Sequence, residues 1–250
     1  VKIPEYFVYK NHQKGFYPFS INKSSERRRI KYSYRQQNEK FGGARTTRHN
    51  ENVDFIENTI MINEKNVSAL KDDEPFVSNI KNYRGGLEFE LSSTKFPNSK
   101  MKFYSTDWKD VSKQVYKSSS FGGELSKKSY FKKDLKEILT NIKTDETKID
   151  AIFQYVKSKV KWNNYYGKYS DIGVKKTYKN GVGNVADINL MLTSMLREAG
   201  LNANPVLVST RKNSVPLFPT LDGFNYVISM VEFSNGSYVL LDATEPYSSP

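Results

Sequence analysis

Residues Asn180 to Gly200 read NGVGNVADINLMLTSMLREAG. Gly181 and Gly183 punctuate the start, and Ile188, Met191, Leu192, Met195 and Leu196 then recur at helical spacing, which predicts a helix with one apolar face. Asn184 suits the N-cap, and Asp187 in the first turn complements the positive end of the helix dipole. Arg197 suits the last turn, and Gly200 suits the left-handed residue that ends a helix. A glycine loop that feeds a capped helix presents free backbone N–H groups at its first turn. The side chains at Val185 and Asp187 therefore decide what such a turn can do.

Downstream, NPVLVST (204–210), FNYVISMVEF (224–233) and SYVLLDAT (237–244) are β-branched and aromatic, and Asn235-Gly236 is a hairpin turn signal joining the last two. Upstream, Phe131, Leu135, Ile138, Leu139 and Ile142 make one helical stripe. Ile149, Ile152, Phe153, Val156 and Val160 make another, capped by Thr144. Helices followed by an antiparallel sheet indicate an α+β core over 130–250. Residues 1–105 alternate with period two in RRIKYSYR (Ile30, Tyr32 and Tyr34 expected inward), NVDFIENTIMI (52–62) and GGLEFELSS (85–93), which predicts an antiparallel β-sandwich. The serine-rich segment 106–129 reads as a linker, with a short helix expected around Trp108 to Tyr116. Val1 starts inside a strand pattern and Pro250 follows another, so both ends are expected to be truncated.

The 250 residues contain no cysteine, and their only histidines are His12 and His49. Thiol nucleophiles, disulfides and thiolate metal sites are thereby excluded from this chain. No metal-ligand spacing or phosphate loop appears, and no cofactor is implied. The net charge is +12, with +9 over 1–50, −3 over 51–110, +9 over 111–180 and −3 over 181–250. Only SERRRIKYSYR (25–35) combines basic and aromatic residues, and scattered surface lysine argues against nucleic acid as the partner. No apolar run reaches the length of a membrane span, and the N-terminus lacks a secretion-signal pattern.

GNVADINLMLTSMLREAGL (183–201), FNYVISMVEF (224–233) and LLDAT (240–244) resemble, in order and spacing, the three motif segments of the transglutaminase-like superfamily, a papain-like core. The resemblance implies a thiol at the start of the helix, a histidine on the next strand and a carboxylate orienting that histidine. Carried onto this sequence, those positions fall on Val185, Asn225 and Asp242. Val185 has no heteroatom and Asn225 cannot move a proton near neutral pH, so the covalent acyl-transfer route is closed here. IPEYFVYK and the strands through 85–93, with FYSTDWKDVSKQV after them, resemble the β-rich domain of unknown function that often precedes this core in bacterial envelope proteins. That likeness implies an exported, periplasmic or cell-envelope protein.

The leading expectation is a non-catalytic core whose groove binds protein, peptide or glycan, or acts as a scaffold. Trp162, Tyr165, Tyr166 and Tyr169 lie on the loop before the helix and are candidates to line that groove, with Asp187 and Arg211. Core closure by Trp162, capping by Asp187 and simple solvation of Arg211 are the plainer readings. Asn189 is expected to tie the helix to a strand. A competing expectation is a hydrolase or amidase in which Asp187 or Asp242 activates water, and a third is polyanion binding through 25–35. Replacing Val185 by Cys and Asn225 by His is expected to restore little activity, because supporting contacts are not expected to be kept.

Overall fold

The computed structural model describes residues 1–40, 43–77, 79–97, 99–104, 107–213, 216 and 218–250, with backbone only at 36–40 and 43–45. Residues 105 and 106, at the expected domain boundary, lie outside this set. The chain forms two compact units, one of residues 1–74 and 83–104, the other of 75–82 and 105–250.

The first unit is antiparallel. Strands β1 (Lys2–Pro4), β2 (Phe7–Lys14), β3 (Ile21–Lys40), β4 (Gly43–Ile62), β5 (Gly86–Thr94) and β6 (Lys102–Phe103) make two three-stranded sheets, in the orders β1-β4-β3 and β2-β5-β6. The β3–β4 pair is a hairpin of unbroken register from Ile21↔Ile62 to Lys40↔Gly43. At about 3.3 Å per residue, twenty-residue strands reach roughly 65 Å. Strand β1 covers β4 only at Glu57–Thr59, so the rest of the hairpin runs as a two-stranded ribbon. This explains why Ile30, Tyr32 and Tyr34 do not point into a core: they are exposed. The tyrosines instead stack on each other and on His49, and both hydroxyls donate to Glu51. Among the described residues of this unit, Phe55 is the only buried large hydrophobic side chain.

The second unit carries the apolar core. Its elements are α1 (Trp108–Lys117), α2 (Gly122–Leu125), α3 (Lys132–Ile138), α4 (Asp145–Lys159), β7 (Lys161–Trp162), α5 (Val174–Asn180), β8 (Val182–Gly183), α6 (Val185–Glu198), β9 (Ala203–Val208), β10 (Tyr226–Glu232) and β11 (Tyr238–Leu241). Segment 106–129 is not a linker where it is described. Asp107 caps α1, and Val111, Val115, Phe121 and Leu125 join the same buried cluster as α4 and α6. The Ser194 hydroxyl on α6 donates to the Leu125 carbonyl at 3.0 Å and ties α2 to the centre of the unit.

Helix α6 is that centre: every residue from Val185 to Leu196 is buried. Helices surround it, and the antiparallel sheet β11-β10-β9 packs against it with Val227, Ser229 and Val231 facing inward. A helix apolar on nearly all sides must be enclosed in this way, because each fully buried Leu, Ile or Met contributes about 1.5–3 kcal/mol. Thr144 and Asn184 cap α4 and α6 as expected, and Gly200 closes α6 at φ +87°. The Asn235-Gly236 turn joins β10 to β11 in antiparallel register from Glu232↔Tyr238 to Ser229↔Leu241. Among the described residues, no helix is long and apolar enough to cross a membrane.

Candidate functional site

The start of α6 is fixed by the glycine loop before it. Parallel pairing of β7 with β8 sets Trp162 beside Gly183. A Cβ on Gly183 would lie 2.5 Å from the Thr177 methyl and 2.9 Å from the Asp187 Cβ, so only glycine lets the chain enter the helix this closely. Asn184 and Asp187 then form a reciprocal capping box. The Asp187 N–H donates to Asn184 Oδ1 at 2.8 Å, and the Asn184 N–H donates to Asp187 Oδ2 at 3.1 Å. Ser170 donates its hydroxyl to the other Asp187 oxygen, and Asn184 Nδ2 donates to the Tyr169 carbonyl at 2.9 Å. The Asp187 carboxylate is wholly buried, and its donors face it from the loop and the cap. It is a clasp for the helix start, without an oxygen turned to a ligand.

Val185 stands at the first position of α6 with 0% exposure. Its N–H donates to the Tyr165 carbonyl at 3.3 Å, so the helix start is closed by the preceding loop as well as by an inert side chain.

One turn further on, Asn189 joins three elements. Its Nδ2 donates to the Val227 carbonyl on β10 and to Asp242 Oδ1, each at 2.9 Å, while its Oδ1 accepts the Ala243 N–H at 3.0 Å. It thus ties the helix to both strands, as expected. Asp242 Oδ1 also accepts from the Thr244 N–H at 3.0 Å and the Thr244 hydroxyl at 2.6 Å, and Oδ2 accepts from the Tyr226 hydroxyl at 2.7 Å.

This arrangement corrects the placement of Asn225. Continuing the β10–β11 register three residues beyond Ser229↔Leu241 sets Tyr226 opposite Thr244, and their hydroxyls lie 2.6 Å apart. Tyr226 is the strand residue presented to Asp242. Asn225 instead serves the loop after β9: its Oδ1 accepts the Thr210 N–H and its Nδ2 donates to the Thr210 hydroxyl, both at 3.0 Å. Burial, and then the neighbouring Asp242, push the Tyr226 phenol well above the usual range. At neutral pH it is a neutral donor to the carboxylate.

The aromatic loop residues divide into two sets. Trp162 and Tyr166 meet edge to face with centroids 5.1 Å apart, and Tyr166 lies 5.8 Å from Tyr226. Trp162 Nε1 donates to the Tyr165 carbonyl at 3.1 Å. Tyr165 and Tyr166 keep 60% and 51% of their surface exposed, so two aromatic residues lie open beside the sealed helix start. Tyr169 turns elsewhere, edge-on to Phe121 with the Lys168 ammonium over its ring, and burial raises its phenol. Arg211 is exposed on a turn after β9, and no described contact joins it to the aromatic residues.

A first-turn helix position, a strand residue beside it and a carboxylate on the next strand form the frame of a papain-like acyl-transfer core. Residues 133–243 match the family model of the transglutaminase-like superfamily. A candidate protease from Parabacteroides distasonis has a similar fold, with TM-score 0.51 and 11% identity. The likeness covers 97% of this chain, which spans 44% of the length of that protein. A candidate cysteine protease from Cytophaga hutchinsonii is 12% identical with TM-score 0.35, over 98% of this chain and 79% of that one. No curated protein matches.

Proposed function

We propose that the C-terminal unit is a non-catalytic transglutaminase-like module of the bacterial cell envelope, which holds a peptide or glycan strand on the open aromatic face of its former site. The observation that carries this reading is the occupancy of the frame: Val185 is sealed where a thiol would stand, and Tyr226 is bonded to Asp242 where an imidazole would stand. Val185 has no heteroatom to attack a carbonyl, and the Tyr226 phenol, raised by burial and by Asp242, stays protonated near neutral pH. The carboxylates that a water-activating hydrolase would need are already engaged. Asp187 accepts from the Asn184 N–H and Ser170, and Asp242 from the Thr244 N–H, Thr244, Asn189 and Tyr226.

Tyr165 and Tyr166 supply exposed ring faces at the same place, and such faces suit sugar rings or extended peptide. Soluble peptidoglycan fragments carry both chemistries. Calorimetric titration is expected to show binding that Tyr165→Ala with Tyr166→Ala weakens by tenfold or more. Absence of binding, or binding indifferent to both substitutions, would overturn the proposal.

A further inference from the structure

The β3–β4 ribbon has two chemically different faces. Residues paired across an antiparallel ladder point to the same side, and successive residues alternate. One face therefore carries Glu26, Arg28, Ile30, Tyr32 and Tyr34 of β3 with His49, Glu51, Val53, Phe55 and Glu57 of β4. It is internally satisfied: Arg28 pairs with Glu26 and Glu57, the two tyrosines donate to Glu51, and Phe55 is buried against Tyr6.

The opposite face carries Lys23, Arg27, Arg29, Lys31 and Arg35 of β3, with Arg48 of β4 at its outer end. All six side chains are exposed. Arg29 is held by Asp54 at 2.6 Å, and Arg48 donates to the Ser33 hydroxyl at 3.2 Å. Among the described residues, Lys23, Arg27, Lys31, Arg35 and Arg48 form no salt bridge. The row from Lys23 to Arg35 runs about 40 Å at strand spacing. A two-stranded ribbon is marginally stable alone in water. A face with six cations and the single carboxylate of Asp54 among its described residues calls for an anionic surface to lie against.

We propose that this face docks on an anionic lipid bilayer. Charge complementarity carries the proposal, and two details select lipid over nucleic acid. Among the described residues, the ribbon's aromatic rings, Tyr32, Tyr34, His49 and Phe55, are all on the other face, so the basic face shows no described ring for bases to stack on. Exposed Ile56 stands beside Arg27, and half-buried Ile60 beside Lys23, on the cationic face itself. Interleaved basic and apolar side chains suit the boundary between headgroups and acyl chains, where the isoleucines leave water while the cations meet phosphate.

The test is co-sedimentation of the whole chain with vesicles of phosphatidylcholine alone or with about one third phosphatidylglycerol, at low and raised salt. The expected result is binding to the anionic vesicles only, weakened by salt and by tenfold or more in Arg27→Glu with Lys31→Glu. Lys109→Glu with Lys113→Glu, an equal charge change on α1, is expected to leave binding within twofold. If the ribbon reversal disturbs folding by circular dichroism, Lys23→Ser with Arg35→Ser replaces it, with a loss of threefold or more expected. No binding to anionic vesicles, equal losses in ribbon and α1 variants, or tighter binding to duplex DNA with the same ribbon dependence would each overturn the proposal.

Discussion

At the scale of single residues, the site is set by who serves Asp242 and Asp187. Tyr226→Phe removes a hydrogen bond to a carboxylate and is expected to cost about 1.5–3 kcal/mol in chemical denaturation. Asn225→Ala loses two neutral bonds to the partly exposed Thr210 loop and is expected to cost about 1 kcal/mol. The reverse order would mean that Asn225 supports the carboxylate. Asp187→Ala removes half of the capping box and leaves the buried Asn184 N–H without its acceptor, so a loss of about 2–4 kcal/mol is expected. An Asp187→Ala protein as stable as the parent would contradict its role as a clasp. Val185 and Asp242 were legible in the sequence because a glycine-led helix start and a strand-ending LLDAT mark them locally. Tyr226 was not, because motif order alone cannot separate neighbours on a strand. The signal was present all the same: counting outward from Asn235-Gly236 pairs Phe233 with Ser237, and the same register reaches Tyr226 and Thr244.

At the scale of elements, periodicity locates α4, α6 and the β10–β11 hairpin, because each carries a continuous apolar stripe into the core, although α6 is buried on its other sides as well. It failed where apolar residues are sparse or where a strand lacks a sheet to pack on. Segment 106–129 has a polar composition, yet Val111, Val115, Phe121 and Leu125 all enter the core. Phe121 is 1% exposed, and its ring meets those of Tyr116 and Tyr169. Phe121→Ala is expected to destabilise the second unit by about 3–5 kcal/mol. A change below about 1 kcal/mol would restore the reading of this segment as a linker. The alternation around Ile30, Tyr32 and Tyr34 does form strand β3, but these side chains are exposed, since alternation describes two faces and does not say that a core lies under one of them.

At the scale of the whole molecule, the two units differ in what holds them. The second is built around an enclosed helix, whereas the first relies on ladder hydrogen bonds and surface ion pairs such as Lys2 with Glu57 and Arg29 with Asp54. The second unit also depends on neutral phenols. Burial raises Tyr130, Tyr155 and Tyr226, with Tyr155 pushed up to about 12. Each folded value lies above the unfolded value of about 10, so the stabilisation is complete below about pH 10 and is lost as pH rises through the folded values. Near-ultraviolet circular dichroism is expected to stay flat to about pH 10 and to collapse together with tyrosinate absorbance toward about pH 12. Tyrosines that all titrate near pH 10 with the dichroism intact would contradict that burial.

The central claim is that the transglutaminase-like frame persists without its reaction. The most direct test is amide hydrolysis and amine incorporation into peptide substrates by the purified chain, measured beside Asp242→Ala. Both proteins are predicted to stay at the uncatalysed background. Turnover by the parent chain that Asp242→Ala abolishes would contradict the account.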